Sequence, residues 1–332
     1  MKAIQSVFTY VLHLPKTFHT LLKISVSLLA IIYVFYKIKQ DPQGFDFFLR
    51  PFSIQDGIFL LLSFSFIFAN ISLEALKWQK MMKMFYPNLH FSTSLKAVLA
   101  GNTAGIFTPN RVGEYAARVM YLPSGKRVEA LTLTLIDKVC QMLITMWTGM
   151  FAVSYFLHYF QTKLTQYLSL SFGSLQKIEI SAWSVVVLSS LTLIFAKKWV
   201  VFLPKKWLTW EIFAKMKTAI CQVPIPLLLY ILLLSTLRNL VFTLQYYLLL
   251  MAFGYEGETL LAFAMVSSVF LLKSVVPSIS FSELGIRESV ALTVMGAFAV
   301  ASSTTISSTF LLYLYNIALP ALVGILFLNK QS

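Results

Sequence analysis

The sequence predicts an all-α fold: a polytopic transmembrane helical bundle of about seven to nine membrane segments, one or two of them re-entrant half-helices, with a loose inverted-type repeat. Three observations lead there. Of 332 residues, 58% are hydrophobic and only 12% are charged, with a mean hydropathy of +0.76; a soluble domain carries roughly 25% charged residues. Apolar runs recur at the length that crosses a bilayer, about 20 residues. Two of those runs are interrupted at a proline and followed within six residues by charged residues. Paired interruptions in the two halves of a chain point to a site near the membrane midplane.

In chain order, plain spans are expected near Leu21–Tyr36, Gly57–Leu76, Ala130–Leu157, Ser181–Ala196, Leu227–Leu250, Gly285–Val300 and Thr305–Leu328. Leu21–Tyr36 lacks a small-residue cleavage site and reads as a retained helix rather than a signal peptide. The polar stretches between spans are too short for a core of their own, so residues 1–332 read as one membrane domain with halves at about 21–157 and 181–328. Asn316 and Pro320 mark a kink in the last span.

Loop charge sets the orientation. Lys197, Lys198, Lys205, Lys206, Lys215 and Lys217 face a single acid, Glu211, so this loop reads as cytoplasmic. Met251–Thr259 carries Glu256 and Glu258 without a lysine or arginine and reads as outward. Lys77–Lys96 and Arg111–Arg127 are both basic. If both are cytoplasmic, the apolar piece between them, Ser92–Phe107, must turn back on its own side; the alternative is a plain span whose loop breaks the rule. The N-terminus is then cytoplasmic and the host membrane is the inner (plasma) membrane.

The interruptions carry the candidate chemistry. The first reads P-N-R-V-G-E-Y-A-A-R, with Pro109 breaking the helix and Arg111, Glu114 and Arg118 spaced three and four apart on one face. The resuming helix offers unpaired N–H groups and a positive dipole end, Gly113 allows close backbone approach, and arginine grips phosphate in two places. Together they suit an anionic headgroup; the competing reading is a pair of positive-inside anchors around Glu114. The second interruption reads P-S-I-S-F-S-E-L-G-I-R-E, with Glu283, Arg287 and Glu288 around Gly285, and fits the other wall of one cavity or a salt-bridged interfacial turn. Asp137 and Lys138 lie deep in a span, diverge by about 100° and need partners on other segments. Ser235, Arg238 and Gln245 share a stripe of the Leu227–Leu250 run; an arginine there costs about 2.5–3.5 kcal/mol unless it meets a cavity or partner. Glu74 and Lys77 fit snorkelling as well as function, and Lys273 has the same ambiguity.

Several classes fall away. The net charge of +14 belongs to the positive-inside rule and anionic headgroups rather than to nucleic acid. Cys140 and Cys221 have no paired spacing, and the four histidines do not cluster, so neither a disulfide nor a metal is expected. No ATP loop, zinc-protease pair or hydrolase elbow is present. No cofactor is expected.

At the two interruptions the chain resembles the lysylphosphatidylglycerol-synthase transmembrane-region family of flippase-like membrane proteins. Pro109, Arg111, Gly113, Glu114 and Arg118 carry the first element, Gly285, Arg287 and Glu288 the second, and L-E-A-L-K-W, with Glu74 and Trp78, a third. The usual glycine-rich second turn is replaced by Ser-Ile-Ser-Phe-Ser. The resemblance spans essentially the whole chain. It implies binding or translocation of an anionic lipid, either a phospholipid or a polyprenyl-phosphate carrier, without synthesis of an aminoacyl lipid, since no transferase domain is read here. Arg111, Arg118, Arg238 and Arg287 would bind phosphate, with Lys138 beside them, and Glu114, Asp137, Glu283 and Glu288 would hold the arginines in place or relay protons. Envelope-synthesis enzymes are the implied protein partners. The other reading is an integral-membrane enzyme or accessory subunit acting on lipid-linked sugars.

Overall fold

The computed structural model describes residues 53–106, 108, 111–159, 172–195, 211–275 and 283–328, which are helical with no strand among them. The expected span Leu21–Tyr36, Pro109 and Asn110, Ser278 to Ser282 and the side chain of Glu283 lie outside the described residues.

Helix α1 (Ile54–Met82) starts at a reciprocal cap: Ser53 Oγ accepts from the Asp56 N–H at 3.1 Å, and Asp56 returns the bond to the Ser53 N–H at 2.9 Å. Its 29 residues rise about 43 Å, more than a hydrocarbon core of about 30 Å. Helices α2 (Phe91–Ile106) and α3 (Val112–Met120) flank the first break. Then come α4 (Arg127–Tyr159), α5 (Phe172–Ile194), α6 (Glu211–Gln222) and α7 (Ile225–Ala252). Helices α8 (Thr259–Val275) and α9 (Glu283–Gly296) flank the second break. The last span is α10 (Ser302–Tyr313), a π-helical turn (Leu314–Ala318) and α11 (Leu319–Leu328). Among the described residues, four helices are long and apolar enough to cross a membrane: α1, α4, α7 and the α10–α11 span. At 14 residues, α9 is shorter than the span expected over Gly285–Val300.

Helix α3 folds back along α2. A Cβ at Gly113 would sit 2.7 Å from the Ala104 carbonyl oxygen, and one at Gly101 would sit 2.8 Å from Arg118 Cγ. Only glycine permits this approach. Beyond the hairpin, Tyr86 donates to the Pro123 carbonyl at 3.1 Å, so the chain enters and leaves the hairpin at the same end of the bundle. That end gathers Trp78, Met81, Met82, Leu122, Leu133 and Ile231 into one apolar core. A second core forms around Tyr246, Leu250, Met265, Val269, Met295 and Leu312 toward the other end. The polar site lies between them. On α7, Arg238 is the fourteenth of 28 residues, about 20 Å from either end.

Where a kink is expected at Asn316 and Pro320, the structure has a π-helical turn. Pro320 has no N–H for the Asn316 carbonyl, and the Leu312 carbonyl instead accepts from the Asn316 side chain at 3.0 Å. Single π-turns of this kind recur at functional sites.

Candidate functional site

Two carboxylates organise the site. Glu74 from α1 and Glu114 from α3 are 3% and 4% exposed. Glu74 Oε1 lies 2.6 Å from Arg118 Nη2 and 2.6 Å from Lys138 Nζ. Glu114 Oε1 pairs with the same Arg118 nitrogen and lies 2.7 Å from the same Lys138 nitrogen. The four groups therefore close a ring of alternating charge joining α1, α3 and α4. Each carboxylate has a second oxygen, and each second oxygen holds one further arginine. Glu114 Oε2 lies 3.0 Å from Arg111 Nε, and Glu74 Oε2 pairs with Arg238 Nη2 of α7.

The ring cancels its own charge, which lowers the cost of burying it. The two outer arginines are left as its surplus. They are also the exposed guanidinium groups, Arg111 at 25% and Arg238 at 17%, whereas Arg118 is at 0%. Both are oriented by amides. Arg111 Nη2 donates to Asn102 Oδ1 at 3.1 Å, and Arg238 Nε donates to Asn70 Oδ1 at 2.8 Å. Arg238 also lies 5.0 Å over the Phe242 ring.

Behind Arg238 runs a line of side-chain amides. Asn70 Nδ2 donates to Asn316 Oδ1 at 2.6 Å, Asn316 Nδ2 to Gln245 Oε1 at 2.8 Å, and Gln245 Nε2 to the Ser63 carbonyl at 2.9 Å. Buried polar groups are costly unless satisfied, and here the π-turn places Asn316 to close the line.

These groups front a cavity of about 340 Å³. Glu74, Arg111, Glu114, Lys138 and Arg238 line one side, and Lys273 and Arg287 reach it from α8 and α9. Both interruptions therefore contribute to one space, with Glu114 and Arg287 in its wall. Five basic side chains face two carboxylates among the described lining residues, an excess of three positive charges.

Not every candidate reaches the cavity. Arg118 lies beneath the two glutamates. Asp137 is fully buried and pairs with Lys77 at 3.1 Å, a neutral couple behind the ring. Lys77 also donates to Gln141 Oε1 at 3.0 Å, and Gln141 lines the cavity. Glu288 is 7% exposed and stands outside the lining. The α3 N-terminus is also less open than the motif implies. Thr108 Oγ1 accepts the Gly113 N–H at 2.8 Å, and the Arg111 N–H bonds to the Thr108 carbonyl at 3.1 Å. Arg111 itself is no part of a helix face; it caps α3 in the left-handed region, φ 56°, a conformation costing about 1–2 kcal/mol outside glycine and often found at functional sites.

Sequence reasoning left Glu74 and Lys77 between snorkelling and function, and both are buried in ion pairs. The signal was a carboxylate within an apolar run, whose cost demands a partner. Asn102, Gln141 and Asn70 gave no such signal. Among the described residues no group of three metal-ligating side chains forms.

Comparison with curated proteins and with solved structures found no match. A family model, the lysylphosphatidylglycerol synthase TM region, matches residues 20–324. That match covers nearly all of the chain, including both interruptions and every side chain of the ring. Together with helices of membrane-crossing length, it makes this an integral membrane protein associated with lipid modification or translocation. The chain belongs to the lysylphosphatidylglycerol synthase transmembrane-region family.

Proposed function

We propose that the protein binds the phosphate of an anionic membrane lipid in the polar cavity and passes that headgroup between the two leaflets. One observation carries the reading: Arg111 and Arg238 are held by the carboxylates of the ring and reach a cavity whose described lining is predominantly basic. Guanidinium forks bind phosphate in two places. Lys138 from the ring and Lys273 and Arg287 across the cavity would complete the site, with Arg118, Asp137, Glu283 and Glu288 in supporting positions. In this reading the α2–α3 hairpin is re-entrant, the basic end of the bundle is cytoplasmic and the host membrane is the plasma membrane, where envelope-synthesis enzymes would supply or use the lipid.

The test is reconstitution in liposomes containing headgroup-labelled phosphatidylglycerol, with label reduction followed from outside. The wild type is expected to expose inner-leaflet label faster than empty liposomes. Arg111→Lys, which keeps the charge and loses the fork, should slow the exchange about tenfold at equal protein density, the loss of one charge-assisted hydrogen bond. A wild-type rate equal to that of empty liposomes would refute translocation. A chemically altered lipid would favour an enzyme acting on lipid-linked substrates.

A further inference from the structure

We infer that a groove between α1, α2 and α11 seats one acyl chain of the lipid whose phosphate occupies the cavity. This rests on the anionic-lipid reading above and adds to it a site for the tail. The groove has a volume of about 370 Å³. Phe64, Ile67, Phe68 and Ile71 of α1 form one wall and Leu95 and Leu99 of α2 another. Pro320 and Val323 close it from the last span. Among its described lining residues Ser72 is the one polar side chain.

Depth gives the groove its occupant. Arg238, in the cavity wall, stands midway along α7. A phosphate held at that depth draws its chains down with it, and they stay in apolar surroundings only if such surroundings lie beside the cavity. The groove lies there. On α1, Ile67, Ile71 and Glu74 follow at intervals of four and three, so one stripe passes from groove to cavity. On α2, Leu95, Leu99 and Asn102 repeat those intervals. In the last span, Pro320 of the groove stands three residues beyond Ile317 of the cavity. A seam between the two spaces is the contact of α1 with the π-turn, where Asn70 donates to Asn316 at 2.6 Å and Phe64 meets the Tyr315 ring edge-on, centroids 5.4 Å apart. Shape selects a chain over a further helix. From Phe64 to Ile71, α1 rises about 10 Å. A volume of about 370 Å³ spread over that length leaves a cross-section well below that of an α-helix, about 10–12 Å across. A helix from elsewhere in this chain, or from a second copy, does not fit inside it.

The experiment uses the purified full-length chain in phosphatidylcholine nanodiscs. Phosphatidylglycerol with a photoactivatable diazirine at the middle of one acyl chain is cross-linked and mapped by peptide mass spectrometry, against phosphatidylcholine bearing the same chain. Displacement of a fluorescent phosphatidylglycerol reports headgroup binding separately. Phosphatidylglycerol is expected to label segments 64–72, 95–99 and 319–323 about tenfold above phosphatidylcholine, the selectivity of one charge-assisted contact. Val323→Trp puts a ring into the groove from an exposed position in its wall. It should weaken displacement by dioleoyl-phosphatidylglycerol about tenfold, the equivalent of about two methylenes left outside apolar surroundings. Displacement by dihexanoyl-phosphatidylglycerol, whose chains are too short to fill the groove, should stay within about twofold.

If that variant does not fold, the cross-linking map of the wild type decides. Equal labelling of the groove by both lipids, with displacement intact, would overturn the inference while leaving anionic-lipid binding standing. Phosphatidylglycerol labelling confined to other segments would do the same, as would a groove labelled by neither lipid, the result if protein covers it. Failure of any anionic lipid to displace the fluorescent probe would overturn both readings.

Discussion

Arg118 is the residue on which the site turns, although no ligand can touch it. One guanidinium nitrogen serves both Glu74 and Glu114 from a fully buried position. Removing one partner of such a pair leaves a buried charge without compensation, at about 3–5 kcal/mol. Glu74→Gln and Arg118→Gln are each expected to lower thermal stability in detergent by a loss of that order. The double variant should lose clearly less than the sum, because the two residues are in contact. Additive losses in the melting curves would show that the ring does not act as a unit. The sequence revealed Arg118 as a charge sharing a face with Arg111, and that spacing suggested a ligand contact. It could not show depth. A three- and four-residue spacing fixes a helix face, whereas Arg111 sits outside the helix in left-handed backbone and points elsewhere.

The α2–α3 hairpin is the element that makes the ring possible. Its two arms must come within glycine distance for Glu114 and Arg118 to meet Glu74 and Lys138. At Gly113 the obstacle to a side chain is backbone, the Ala104 carbonyl, together with the Thr108 side chain that caps the helix. Gly113→Ala should therefore force the arms apart at a cost of about 1–3 kcal/mol, read as a lower melting temperature, whereas Gly57→Ala in the first turn of α1, with nothing within 4 Å, meets no such clash. An unchanged melting point for Gly113→Ala would mean that the arms are free to separate. The element boundaries were largely legible, since proline and apolar length mark α2, α7 and α8 plainly. The π-turn was legible only as a kink, because Asn316 and Pro320 signal a disturbed ladder without stating its register. Asn70 and Gln141 were silent, since a neutral amide in an apolar run is cheap enough to need no explanation.

At the scale of the molecule, basic side chains mark one end of the bundle. Lys80 lies over the Tyr230 ring at 5.7 Å and Lys126 over Phe85 at 5.2 Å near one core. Phe253, Tyr255 and the loop with Glu256 and Glu258 close the other. Single cysteines at Asn88 and Ser124, in a background without Cys140 and Cys221, should react with an impermeant thiol reagent from the same side of the membrane, and one at Glu256 from the opposite side. Labelling of Asn88 and Ser124 from different sides would exclude a hairpin that returns to its own face. The line of amides behind Arg238 has a consequence of its own. Each carboxamide turns its oxygen toward the arginine and its nitrogen away, from Asn70 through Asn316 to Gln245. Their dipoles add head to tail, with the negative end on the guanidinium, and none of the three gains or loses a proton in any biological range. This part of Arg238's support is therefore a fixed field, indifferent to acidification on either side of the membrane, drawn from residues that a count of charges would never include.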